Sequence, residues 1–323
     1  MDVRQTTFLF MAAAALLPMQ APAQEYPSKP IRFIAPQPPG GGFDYTVRVL
    51  AERLQGSLGQ AVIVENRPGA GTVIGSEFVA RQPPDGYTLL MGSDTLTTLP
   101  SLAAKLPFDP VKDFTPISTV ATPPFVLVVS SSSPIRTVNE YIAAAKAKPG
   151  SITFGSSGVG TPFQFAGELM KSMANIDMLH VPYRGSAQIV QALLTGELAS
   201  TFAPLTPVLP HIASGKLRAL ASSGTQRMRS MPQLPTVMES GVPGYDIATW
   251  FGLQTTAGVP RPIIERLNRE VGEWLRLPET REKLADQFSL DITPSTPEQM
   301  AERIARELPI FTRLMRASGI EPE

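Results

Sequence analysis

Apolar and polar positions alternate along this chain in two rhythms. Short runs such as "IRFIA", "AVIVE" and "YTLLMG" read as strands, and residues 44–58 and 73–80 between them repeat apolar positions three and four apart, as helices do. A second series follows: "PPFVLVVS", a helix from about Val138, "ITFGSSG", a helix over 163–173, "MLHVPY" and a helix over 186–194. Alternation of this kind predicts parallel βαβ units, so the chain is expected to form two α/β lobes. After the strand-like "LRALASS" comes an irregular, Pro- and Gly-rich stretch over 224–250. Then "FGLQTTAG" reads as a strand, and helices over 262–275, 279–286 and 297–315 close the chain. Thr296 stands ahead of Pro297 as a cap for the last of them. The charged faces of these helices read as solvated exterior.

A length of 323 residues suits two domains, each with its own core. Basic and acidic residues number 28 each, without long runs of either sign, so neither nucleic acid nor an anionic membrane surface is an expected partner. The partner is expected to be small. At the start of the chain, Arg4, the apolar stretch Phe8–Leu17 and the run Ala21-Pro22-Ala23 predict a cleavable signal peptide over residues 1–23. The apolar stretch is shorter than the roughly 20 residues of a spanning helix, so export of a soluble protein is the expectation. Asp2 departs from a positive leader, and an uncleaved anchor is the alternative reading. The absence of cysteine excludes disulfides, thiol nucleophiles and thiolate metal sites. His180 and His211 are too far apart for a local metal motif; neither metal nor cofactor is expected.

Two stretches carry candidate chemistry. "PPGGGFDYTVRVLAERL", from Pro38, and "ITFGSSGVGTPFQFAGELM", from Ile152, each run through a glycine-rich turn into an amphipathic helix. Such turns offer amide donors at the positive end of a helix dipole, suited to a carboxylate or phosphate. If the lobes face one another, both turns open into one cleft. Asp44 reads equally as part of this site or as a simple N-cap. In "VIVENRPGAGTVIGS", the spacing of Gly69, Gly71 and Gly75 resembles a dinucleotide turn, but a close helix–strand contact explains it better. "GSSGVG" is not a nucleophile elbow, since Val159 stands where glycine is required. His180, inside a strand-like run, reads as a hydrogen-bonded structural histidine, and His211 as a surface or helix-end residue. No catalytic set emerges, and the chain is not expected to be an enzyme.

With "YPSKPIRFIAPQPPGGGFD", "VIVENRPGAGTVIGSEFVA", "PPDGYTLLMGS", "LPFDPVKDFTPIS", "FGSSGVGTPFQFAGELMKSM", "HVPYRGSAQ", "LPHIASGKLRALA", "LPTVMESGVPGY" and "WFGLQTTAGVP", the mature chain resembles the Bug family, the TctC-type periplasmic substrate-binding proteins of tripartite tricarboxylate transporters. The resemblance implies a type II periplasmic-binding-protein fold: two lobes, each a mostly parallel sheet flanked by helices, joined by two crossovers with a ligand cleft between. The corresponding division is 24–124 for the first lobe, 125–224 for the second, and 225–323 for a return to the first and the terminal helices. It implies capture of a small organic carboxylate by lobe closure and delivery to membrane permease subunits, by a monomer. The residues it points to are Gly40, Gly41, Gly42, Phe43 and Asp44 in the first loop, Ser93 at a neighbouring strand end, and Ser156, Ser157, Gly158, Gly160 and Thr161 in the second loop. Phe202 and Ala203 complete the set. The chain departs from the family pattern at Ala199 and Ala203, where acids are frequent, and at Gln164, where histidine is frequent. A ligand ammonium would lack a partner, so a dicarboxylate or aromatic carboxylate without an amino group is expected. Phe43, Phe163, Phe202 and Trp250 are candidate apolar walls, or else core residues. Arg184 is either a cation near the cleft or simply exposed. A ligand sensor for a signalling partner, and less so an exported hydrolase, are the competing functions.

Overall fold

The computed structural model describes residues 26–40, 42–123, 125–288 and 290–317; the expected signal peptide and Gly41 lie outside them. The first lobe begins β1 (Ile31–Ala35), α1 (Gly42–Leu58), β2 (Val62–Asn66), α2 (Val73–Ala80), β3 (Thr88–Ser93), α3 (Thr95–Thr98) and β4 (Phe114–Ala121). The second contains β5 (Phe125–Ser130), α4 (Val138–Ala147), β6 (Thr153–Ser156), α5 (Pro162–Ala174), β7 (Leu179–Pro182), α6 (Ser186–Thr195), β8 (Ser200–Pro204), α7 (Leu205–Ala213) and β9 (Leu217–Ser222). The chain re-enters the first sheet as β10 (Phe251–Thr256) and ends in α8 (Arg261–Arg276), α9 (Pro278–Phe288) and α10 (Pro297–Ala317).

Strand order is β2-β1-β3-β10-β4 in one sheet and β7-β6-β8-β5-β9 in the other. Within each lobe the βα units pair in parallel: β1 with β2 and β3, and β6 with β7 and β8. Each sheet is mixed, because the strand that crosses into it enters against the rest. β10 is antiparallel to β3 and β4, and β5 to β8 and β9.

Burial follows the two periods. On α1, Val47, Leu50, Ala51, Leu54 and Leu58 turn inward while Glu52 and Arg53 face solvent, the stripe expected of a helix lying on a sheet. On β5, Phe125, Leu127 and Val129 enter one core with Phe154 and Phe202, while Val126 and Val128 enter another with Ala203. The second sheet is therefore covered on both faces. α10 starts as the sequence reading expects: Thr296 Oγ1 accepts from the Gln299 amide at 3.2 Å, and Gln299 Oε1 from the Thr296 amide at 2.9 Å.

The return to the first lobe comes later than residue 225. Met228, Met231 and Leu234 pack with Val126 and Val128, and Val237, Val242, Tyr245 and Ile247 pack with Phe202. The irregular stretch is thus an outer layer of the second lobe, bridged to the edge strand β9 at Ser222–Thr236. Its scattered apolar residues have no period of their own and are buried wherever an uncovered sheet edge is nearest. α10 also differs from the sequence reading. Met300 and Ile304 belong to a first-lobe core, whereas Phe311, Leu314 and Met315 belong to the second-lobe core, with Phe311 against Phe165 at 4.6 Å between ring centroids.

Candidate ligand-binding site

The parallel strands β1, β2 and β3 all point their C-terminal ends one way, as do β6 and β8, and the loops leaving these ends carry the candidate residues. Leu102, just beyond α3, joins the two lobes here. It packs against the second-lobe core and rests on Gly160, where a Cβ would collide with its side chain.

Both glycine-rich loops are braced in the same way. The Gly40 amide donates to Asp44 Oδ2 at 3.0 Å, and the Gly160 amide donates to Gln164 Oε1 at 2.8 Å, each to the side chain four residues on. The stretches "GGGFD" (40–44) and "GTPFQ" (160–164) share a G-x-x-F-acceptor pattern, a signal present in the sequence but not recognised in it. Gly40, Gly158 and Gly160 have φ of +95°, +135° and +73°, conformations in which a side chain is strained.

Asp44 is a brace. Besides Gly40, its Oδ2 accepts from Arg48 Nε at 2.9 Å, and its Oδ1 from Asn66 Nδ2 at 2.8 Å. Burial opposes ionisation, but the hydrogen bonds from Arg48, Asn66 and Gly40 outweigh it and hold the carboxyl below its usual range. Its charge is consumed by internal donors, leaving the first-turn amides of α1, at Gly42, Phe43 and Asp44, as the donors that helix geometry leaves without intrahelical partners. Asp44→Ala is expected to lower the unfolding free energy by about 2 kcal/mol in urea melts, with Asp44→Asn recovering only part, because one of its two positions becomes a donor facing Asn66.

In the second loop, Ser156 is fully buried, with Oγ 2.6 Å from His180 Nε2 and 2.7 Å from the Gly158 carbonyl, which also accepts from Thr161 Oγ1 at 2.8 Å. Thr161 precedes α5 as its N-cap residue, but its hydroxyl ties the loop to itself and caps no helix amide. Burial, assisted by Lys171, lowers the His180 pKa to about 4, so the ring is neutral at pH 7. Among the described residues no carboxylate hydrogen-bonds its other nitrogen, so Ser156 and His180 lack the third member that would orient a catalytic base. Ser157 and Gly158 are half-buried at the loop's tip.

Ser93 is buried at the end of β3, its Oγ 2.6 Å from Thr95 Oγ1, which lies 3.3 Å from Thr72 Oγ1. Gly75, within α2, admits a close approach of that helix to Pro36 and the Arg67 carbonyl, the helix–strand contact expected of this glycine cluster.

Phe202 and Ala203 project from opposite faces of β8 into separate cores, Phe202 stacked on Tyr245 at 5.9 Å, and both side chains are buried. Side chains inside a strand stand perpendicular to the sheet, whereas the loops lie beyond its end. Phe43, edge-on to Phe251 at 5.0 Å, and Trp250 are also core residues, which leaves Phe163, half-buried, as the aromatic wall candidate. Arg184 is exposed.

A cluster of buried acids behind the site escaped the sequence reading, having no local signal. Asp94, next to Ser93, accepts from Thr249 Oγ1 at 3.0 Å; Glu307 on α10 accepts from Trp250 Nε1 at 2.8 Å and from Arg303 Nε at 2.7 Å.

The chain matches the family described as "Tripartite tricarboxylate transporter family receptor" over residues 46–320. It is 37% identical to protein BugT of Bordetella pertussis over 281 residues, 86% of this chain and 86% of that protein. It resembles the solved structure of an R. palustris protein with adipate, at 30% identity and a TM-score of 0.76, covering 93% of this chain and 100% of that one. It likewise resembles MatC from Rhodopseudomonas palustris with bound malate, at 25% identity and a TM-score of 0.70, covering 90% and 99%.

Proposed function

Since this chain belongs to the tripartite tricarboxylate transporter receptor family, a family of periplasmic solute-binding proteins, we propose that it captures a small dicarboxylate without an amino group and delivers it to membrane permease subunits. The observation that carries this reading is the pair of glycine loops, each braced from the fourth residue on, at the N-termini of α1 and α5, with Leu102 of one lobe seated on the loop of the other. One anion touching both helix N-termini favours the closed arrangement by the free energy of the second contact. Adipate and malate in the two similar structures support the ligand class. The missing amino group follows from the acids at hand: Asp44 is engaged by Arg48, Asn66 and Gly40, and alanines stand at 199 and 203. Among the described residues no helix is long and apolar enough to cross a membrane, which accords with a receptor that needs a membrane partner for transport.

A thermal-shift panel tests the proposal. Adipate, malate or a related dicarboxylate is expected to raise the melting temperature, with about 2.7 kcal/mol of stabilisation at a hundredfold excess over Kd. Stabilisation by aspartate or glutamate alone would reject the ligand class, and silence across all organic acids would reject the function.

A further inference from the structure

On the flank of the interlobe junction away from the glycine loops lies a polar cavity of about 410 Å³ lined from both lobes. The second lobe's outer layer contributes Arg227, Arg229 and Asp246; the first lobe and its terminal helices contribute Arg281, Asp291, Arg303 and Arg306. The cavity sits beside the outer edges of the two sheets: Ile292 bridges Ala121 at the end of edge strand β4, and residues 224–229 continue from edge strand β9. The glycine loops leave β1 and β6, each three strands in from those edges.

Charge is unequally matched there. Arg227 is held by Glu239 at 2.9 Å and Arg303 by Glu307 at 2.7 Å. Arg281 spends its Nε on the Leu275 carbonyl, which leaves the ends of its guanidinium fork available. Among the described residues, Arg229, Arg281 and Arg306 make no salt bridge; they share the cavity with Asp246 and Asp291, and Arg306 also lies within reach of the Glu307 charge. Asp291 is half-buried and already has Arg229 beside it, and Asp246 is exposed to water. Five guanidinium groups at the cavity against Asp246, Asp291 and the partner acids Glu239 and Glu307 leave an excess of positive charge, and planar forks of this kind match pairs of oxygens on one anion.

We propose that this cavity is a second anion site, taking a small oxyanion of the phosphate class with two negative charges, with Arg229 on one lobe and Arg281 and Arg306 on the other as its principal donors. Occupancy ties the 224–229 segment to the terminal helices across the junction. The site is independent of the carboxylate assigned to the cleft.

Inorganic phosphate is the probe. Titrated against sodium chloride of equal ionic strength, it is expected to raise the melting temperature of the full chain saturably, beyond the salt control. The Arg229→Gln/Arg306→Gln pair is expected to weaken that effect by about tenfold or more, with the dicarboxylate response of the cleft unchanged. Arg306→Gln alone, on an exposed helix position, is expected to weaken it severalfold and serves if the pair is poorly folded. A phosphate response no larger than that of chloride overturns the proposal, as does one that survives both arginine variants.

Discussion

Asp94→Asn is expected to remove the part of the pH dependence of folding stability that falls as the pH rises from 4 to 7. Asp94 is fully buried at the start of α3, and burial pushes its pKa from 3.8 to about 7, helped by the nearby Glu307 charge and opposed by the Thr249 hydrogen bond and Arg303. In the unfolded chain the group titrates near its ordinary value. Below that value both states carry the proton and the native state pays no penalty. As the pH rises toward 7 the unfolded state ionises while the folded state holds its proton, so stability falls; above 7 the loss is complete. Three pH units at about 1.4 kcal/mol each amount to about 4 kcal/mol. Glu307, raised chiefly by burial, slopes the same way and remains in the variant as a residual. An asparagine oxygen still accepts from Thr249, so the variant keeps that contact without the charge. Urea melts at pH 5 and pH 8 measure the result as a difference: the variant gains about 3 kcal/mol on the parent between pH 5 and pH 8, while His180, whose pKa is lowered to about 4, tilts both proteins toward greater stability at pH 8. Parallel pH curves for the two proteins would contradict the assigned proton.

The second large effect falls on ligand affinity. Gly160 has φ of +73°, and a Cβ there would overlap Leu102, reaching across from the other lobe. The backbone strain acts wherever the loop is formed, but the clash acts only while the lobes are together. Overpacking of about 1–3 kcal/mol aimed at the closed arrangement predicts roughly tenfold to hundredfold weaker binding for Gly160→Ala. Adding Leu102→Ala removes the obstructing methyls, so the double variant is expected to recover much of that affinity while keeping the strain. Calorimetric titration with the preferred dicarboxylate decides it. Equal affinities for parent and Gly160→Ala would mean that the 102–160 contact plays no part in holding the ligand.

The alternation of strand and helix was legible because a helix packed on one side shows a period of 3.6, which α1 obeys plainly, while β1 and β3, buried along nearly their whole length, stand out as short continuous apolar runs. The two glycine loops were legible for a local reason, since their backbone needs positive φ and an acceptor close in sequence. What escaped depends on contacts between distant residues. Phe202 and Ala203 were placed on the correct strand, but which way a strand side chain points is settled by its sheet partners, here Phe125 and Val126 on β5. Residues 225–247 have no period, so their lobe was decided by the β9 edge they cover. Asp94 and Glu307 look like ordinary surface acids in sequence; only the meeting of α3 with Trp250 and α10, which lie far along the chain from it, takes them largely out of water.

Helix α10 is fastened at both ends, with Met300 drawn in against Gly252, where any side chain would obstruct it, and Phe311 set on Phe165. A rod glued to two bodies acts as a splint across their joint. The lobes cannot swing freely on two slack strands; their travel is limited to what sliding at those aromatic and thioether seams permits, which favours a short rocking stroke over a wide gape.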